Sequence, residues 1–174
     1  PMTEGGGVAV ISRLVDTDGP HVEGDIVNPG RFVINRGFAQ LEFFCGATVI
    51  LEAPAELEIE STWLARCHHG RLRVSVPEPA RGFTIQTRDY QAVDLGTEFA
   101  MAVSEEGTSE VHVFEGEVRL DDFSGNPLTN LTDGKGVRTS GARAFETLDV
   151  DADSFVSRQQ LRSLVTDSCQ LVYE

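Results

Sequence analysis

Three short stretches bring together residue types that do chemistry elsewhere. The first is "VDLGTEF", with Asp94, Gly96 and Thr97 between two apolar runs. An acid, a hydroxyl and a glycine on a loop after a strand is the pattern of a retroviral-type aspartic protease. Here Leu95 holds the position where that loop needs its hydroxyl, and one copy supplies only one of two required carboxylates. The pattern reads better as a turn. The Asp94 carboxylate accepts from nearby N–H groups, and Gly96 takes the positive φ that such a corner demands.

The second stretch is "CHHG", Cys67 to Gly70, joined in principle by His21 and His112. Neighbouring positions on a strand face opposite ways, so His68 and His69 cannot grip one ion from an extended chain. The spacing supplies no closing ligands for zinc, and these four histidines are expected on the surface or in turns. The third is "DVDADSFV", where Asp149, Asp151 and Asp153 have the one-three-five spacing of a calcium loop. The glycine expected at position six is Ser154 and the bidentate glutamate at twelve is Gln160, so this is a weak metal candidate. An acidic run capping a helix is the better reading, with Asp153 or Ser154 as the cap. The chain shows no ordered Ser-His-Asp set, supported Cys-His pair or phosphate-binding glycine loop. No catalytic residue and no cofactor are assigned.

The elements that would hold these residues read as strands. "AELEIES" sets Leu57 and Ile59 against Glu56, Glu58 and Glu60. "RLRVSV" does the same with Leu72, Val74 and Val76 against Arg71, Arg73 and Ser75. "FTIQT" and "FAMAV" follow, and Val8–Arg13, Phe38–Phe43 and Thr48–Ala53 are earlier candidates. A period of two marks half-buried strands. Glycines at 37, 46, 70, 82, 96, 107 and 116 punctuate them. "FEGEV" around Gly116 has the form of a tight hairpin. Phe32, Phe38, Phe43, Phe44, Phe83 and Phe99 suit a core better than a ligand platform. After Gly141 the alternation stops, and "DADSFVSRQQLRSLV" reads as a helix that packs on the sheet.

Composition narrows the function. The 174 residues carry 14 Lys plus Arg against 28 Asp plus Glu, a formal charge of −14. Such a field repels phosphate backbones and anionic lipid, which argues against nucleic acid and membrane surfaces as partners. No apolar run reaches the roughly 18 residues of a membrane span, so direct insertion is not expected. "PMTEGGG" has the look of a trimmed linker. Cys45, Cys67 and Cys169 form no framework; a Cys45–Cys67 bond in an oxidising compartment is one option and three buried thiols the other.

The order of motifs then carries more than any one of them. "LEFFCGATVILEAPAELEI", "HHGRLRVSVPEPARGFTIQT", "VDLGTEFAMAV" and "EVHVFEGEVRL" follow one another as in the periplasmic domain of the FecR family, in the wording of planctomycete-like bacteria. The residues carrying this resemblance include Gly46, Pro54, Ala55, Gly70, Gly82, Phe83, Thr87, Gly96, Thr97, Phe99 and Gly116, with Asp94 added from the turn. The resemblance implies an all-β module of stacked short antiparallel strands, a twisted solenoid or sandwich-like stack, here followed by a short C-terminal helix. It divides the chain into a linker and N-terminal strand at 1–29, a FecR-like β domain at 30–145 and a helical appendage at 146–174. It also implies a periplasmic or envelope location, as part of a membrane-anchored protein. The function expected is that of a non-enzymatic sensor and relay in sigma-factor regulation. Its partner would be an envelope protein, such as an outer-membrane transporter or receptor. A carbohydrate- or polymer-binding module is the alternative, with Trp63 and Tyr90 as the aromatics to watch. Oligomeric state is not legible.

Overall fold

The computed structural model describes residues 6–141 and 144–171. Their strands begin with β1 (Ala9–Val15), β2 (Ile26–Val27), β3 (Gly30–Ile34), β4 (Phe38–Phe43) and β5 (Thr48–Ser61). Next come β6 (Leu64–Ser75), β7 (Thr84–Gln86), β8 (Gln91–Asp94), β9 (Glu98–Val103) and β10 (Ser109–Glu115). The last are β11 (Glu117–Asp121), β12 (Pro127–Thr132), β13 (Lys135–Thr139) and β14 (Phe145–Asp149), before helix α1 (Arg158–Leu171). The all-β fold with one short C-terminal helix is as expected, and every strand pairing is antiparallel except β6 with β7.

The long strands β5 and β6 decide the architecture. Their outer halves pair as Glu52 with Arg71 and Thr48 with Ser75, their inner halves as Glu56 with His69 and Ile59 with Ala65. Between them Ala53, Pro54 and Ala55 face the single residue Gly70, so the ladder bulges and the hairpin folds back on itself. Proline has no N–H for a ladder, and Gly70 lies so close to Ala55 that an added Cβ would be 2.6 Å from the Ala55 Cβ. The fold returns Thr62, at the hairpin tip, to the start of β5, where its hydroxyl accepts from the Cys45 N–H at 2.9 Å.

Two layers grow from this shared pair. The first runs β2–β1–β4–β5–β6–β9–β10–β13–β14 on residues 48–52 of β5 and 70–75 of β6. The second runs β3–β5–β6–β7–β8–β11–β12 on the other halves. Inward side chains of both layers merge into one core: Val49, Leu72, Phe99 and Val111 from the first, Phe32, Leu57, Ile85 and Leu120 from the second. Each large side chain buried there contributes about 1.5–3 kcal/mol. β1 belongs to this sandwich, since Ala9 and Ile11 are buried and pair onto β4; β14 likewise continues the first layer past residue 145.

Two local expectations change. "FEGEV" is no hairpin: β10 pairs with β9 and β13, whereas β11 pairs with β8 and β12. The chain crosses between layers at Gly116. The helix cap is Ser157 in place of Asp153 or Ser154, which lie in a preceding 3-10 turn (Ala152–Ser154). The Ser157 Oγ accepts from the Gln160 N–H at 3.1 Å while the Gln160 Oε1 accepts from the Ser157 N–H at 2.8 Å, a reciprocal capping box. Leu161 then packs α1 onto Val15 and Ile50.

Candidate functional site

The motif residues concentrate at one end of the sandwich, where the chain changes layers. β8 leaves the second layer at Asp94 and β9 joins the first at Glu98. In that corner the Asp94 Oδ1 accepts from the Gly96 N–H at 2.5 Å, and Oδ2 accepts from the Thr97 hydroxyl. Burial pushes the Asp94 carboxyl up to about 6, against the opposing pull of those donors and of Arg81. The second crossing lies against the first: the Leu95 N–H donates to the Glu117 carbonyl at 3.0 Å. Gly82 donates to the Asp94 carbonyl at 2.8 Å, Gly46 approaches Pro77 and Ala80, and the Phe83 ring meets Phe43 edge-on at 4.8 Å. Pro54 and Gly70 sit at the opposite end, at the fold of the β5–β6 hairpin, and Phe99 is wholly buried in β9. Chemically, the Asp94 corner consumes its carboxylate internally. Its hydrogen-bond donors among the described residues include the Thr97 hydroxyl and the Gly96 N–H.

At the opposite end a cleft of about 510 Å³ opens beside a second of about 400 Å³, both touching His69 and Glu105. His68 is exposed and His69 half-buried, as alternation requires; the His69 Nδ1 donates to the Pro54 carbonyl at 3.4 Å. Among the described residues no three His, Cys, Asp or Glu side chains are placed to hold a metal ion. Asp149 ends β14, Asp151 precedes the 3-10 turn and Asp153 lies within it, so the calcium-like spacing does not converge. Cys45 and Cys67 are free thiols, and burial pushes Cys67 up to about 12; the Cys169 side chain lies outside the described residues, as do residues 1–5.

His112 departs from the surface expectation. It is buried in β10, with its Nε2 donating to Glu110 at 3.0 Å and its Nδ1 accepting from the Asp151 N–H at 3.2 Å. The sequence signal was available: His112 is the polar member of "VHVF", and a polar residue in an otherwise apolar strand needs partners. The glycan reading loses one of its two aromatics. Tyr90 is wholly buried with its hydroxyl 2.7 Å from the Ser109 Oγ, and burial raises its phenol well above the usual range. Trp63 is 40% exposed at the hairpin tip, and no ring stacks with it among the described residues.

The remaining surfaces of interest are the sheet edges, because backbone groups there lack ladder partners. β1 is covered by β2 and by Glu23, whose carboxylate accepts from the Leu14 N–H at 3.0 Å. β3 is covered by His21, which stacks on Phe32 and donates to the Val33 carbonyl at 3.3 Å. β14 carries Glu146 and Asp149. β12 has none of these devices: among the described residues it pairs only with β11, and "PLTNLT" holds no charge.

The fold and this site define an open two-layer β module whose distinctive residues shape corners and whose β12 edge is, among the described residues, uncharged and unpaired. A family profile described as FecR protein matches residues 35–119, and the chain carries a FecR-family domain there. Two crystal structures of a provisionally assigned anti-sigma factor from Parabacteroides distasonis ATCC 8503, at 1.65 and 2.50 Å resolution, share the fold. Each aligns with a TM-score of 0.58 and 20% identity over 70% of this chain. The alignment spans 60% of those chains, so this protein corresponds to only part of their length. No curated protein matches the sequence.

Proposed function

We propose that this protein is a non-enzymatic signal-relay module of the cell envelope, of the FecR kind that governs a sigma factor, and that it acts by binding another protein. The FecR-family match and the fold shared with the Parabacteroides protein support the regulatory setting. The observation that carries a binding mechanism is the outer edge of β12, uncharged and without a ladder partner among the described residues. A strand from the envelope partner adds to that edge, with main-chain hydrogen bonds giving affinity.

The test is capture of solubilised host envelope proteins on immobilised protein, compared with the double variant Asn130→Lys/Thr132→Lys. Both positions are exposed, and lysine on an edge strand blunts pairing. One protein retained by the wild type, lost with the variant and insensitive to prior glycan digestion is the expected result. Retention that survives the two lysines removes β12 from the mechanism. Retention of polysaccharide that digestion abolishes overturns the relay.

A further inference from the structure

The outer face of the first layer carries a feature that the relay does not use. Residues 151–156 cross it after β14, and only Phe155 in the run 151–155 is buried. Its ring lies under the Arg71 guanidinium at 4.3 Å and meets His112 edge-on at 5.1 Å, with Phe114 beside it. Two arginines hold the backbone around that ring. Arg71 donates to the Ser154 carbonyl at 2.5 Å, and Arg73 to the Ala152 and Phe155 carbonyls, each at 3.3 Å. The Arg73 guanidinium is in turn stacked over Phe114 at 4.4 Å and fixed by Glu98 at 2.7 Å. His112 completes the contact by accepting from the Asp151 N–H.

This arrangement is that of a peptide site with its ligand in place. Four contacts go to main-chain atoms of the segment, which any peptide possesses, and one pocket reads a single aromatic side chain. The segment adds no strand to either layer, so it can leave without breaking a ladder. A helix cap at Ser157 follows at once, which lets α1 stay docked through Leu161 while the segment before it moves.

We propose that the face formed by Arg71, Arg73, His112 and Phe114 is a receptor site for a short peptide segment of a partner protein bearing one aromatic residue, and that residues 151–155 hold it closed in cis. A tethered ligand competes at an effective concentration near the millimolar range, so a free peptide meets the wild-type protein as a weak site. Removing the anchor exposes the site to an external ligand. The proposal does not require β12 to bind anything.

The experiment uses the full chain and a fluorescein-labelled synthetic peptide with the sequence of residues 149–157, titrated by anisotropy. Phe155→Ala is expected to bind it at least about tenfold more tightly than the wild type. Adding Arg71→Gln and Arg73→Gln to that variant removes the gain, and so does replacing phenylalanine by alanine in the peptide. No binding to a folded Phe155→Ala protein overturns the proposal. If that variant does not fold, hydrogen exchange of residues 151–155 in the wild type decides. Excess unlabelled peptide should deprotect those amides, and unchanged protection at the highest soluble concentration overturns the site. A wild-type dimer that the peptide dissociates assigns the face to a second copy of this chain, which also overturns it.

Discussion

Gly116 rests on the carbonyl of Gly96: a Cβ added at 116 would stand 2.3 Å from that oxygen and 2.5 Å from the Thr97 Cγ2. The two glycines are twenty residues apart, and each marks a place where the chain passes from one layer to the other. Both have positive φ, +98° at Gly96 and +93° at Gly116. The second corner thus rests on the backbone of the first, and a side chain at 116 acts on both.

At Gly116 a side chain meets backbone and the left-handed conformation together; at Gly96 it meets the conformation, with only the flexible Arg81 chain nearby. Gly116→Val is therefore expected to cost more than Gly96→Val, with the first at about 4 kcal/mol or unfolded and the second at about 2 kcal/mol. Urea titration followed by circular dichroism measures both. Equal costs would show that strain in φ, and not the contact between corners, sets the penalty.

Asp94 predicts a pH dependence with a definite sign. Burial raises its carboxyl from an ordinary 3.8 to about 6, so the folded state holds a proton that the unfolded state releases between those values. Stability from this group is fully present below about pH 4 and falls as pH rises to about 6, by at most roughly 3 kcal/mol. Asp94→Asn abolishes that slope and, below about pH 4 where the wild-type carboxyl is protonated, costs about 1 kcal/mol for the altered turn cap. Parallel melting curves for wild type and variant from pH 4 to 7 would contradict this assignment.

The capping box predicts a local effect. Ser157→Ala removes the acceptor for the Gln160 N–H and should cost about 1 kcal/mol, carried by α1. Hydrogen exchange in residues 158–164 should accelerate while exchange in β6 and β9 stays unchanged. Uniform acceleration would mean that α1 and the sandwich unfold as one unit.

Cys67 should be protected from alkylation in the native protein, because its thiol is buried and held up to about 12. Cys45, half-buried and next to exposed Phe44, should react first of the two. Mass spectrometry after brief iodoacetamide treatment reads the order. Modification of Cys67 at the rate of Cys45 would require the β5–β6 hairpin to open readily.

The particular residues show how far the amino-acid sequence reaches. Alternation in "AELEIES" and "RLRVSV" settles which side chains are buried, because successive residues of any strand face opposite ways. Leu57, Ile59, Leu72 and Val74 are accordingly in the core. The glycine at 96 and the acid at 94 settle a turn, since both act within a few bonds of themselves. What a strand pairs with is another matter. "FEGEV" satisfies a hairpin and a layer crossing with the same local conformation at Gly116, and only the ladders of β9, β13, β8 and β12 choose between them. The burial of His112 under Phe155, 43 positions away, and the bare edge of β12 arise the same way. Local chemistry determines the faces and the corners; distant segments competing for the same backbone hydrogen bonds and apolar surface decide the partners.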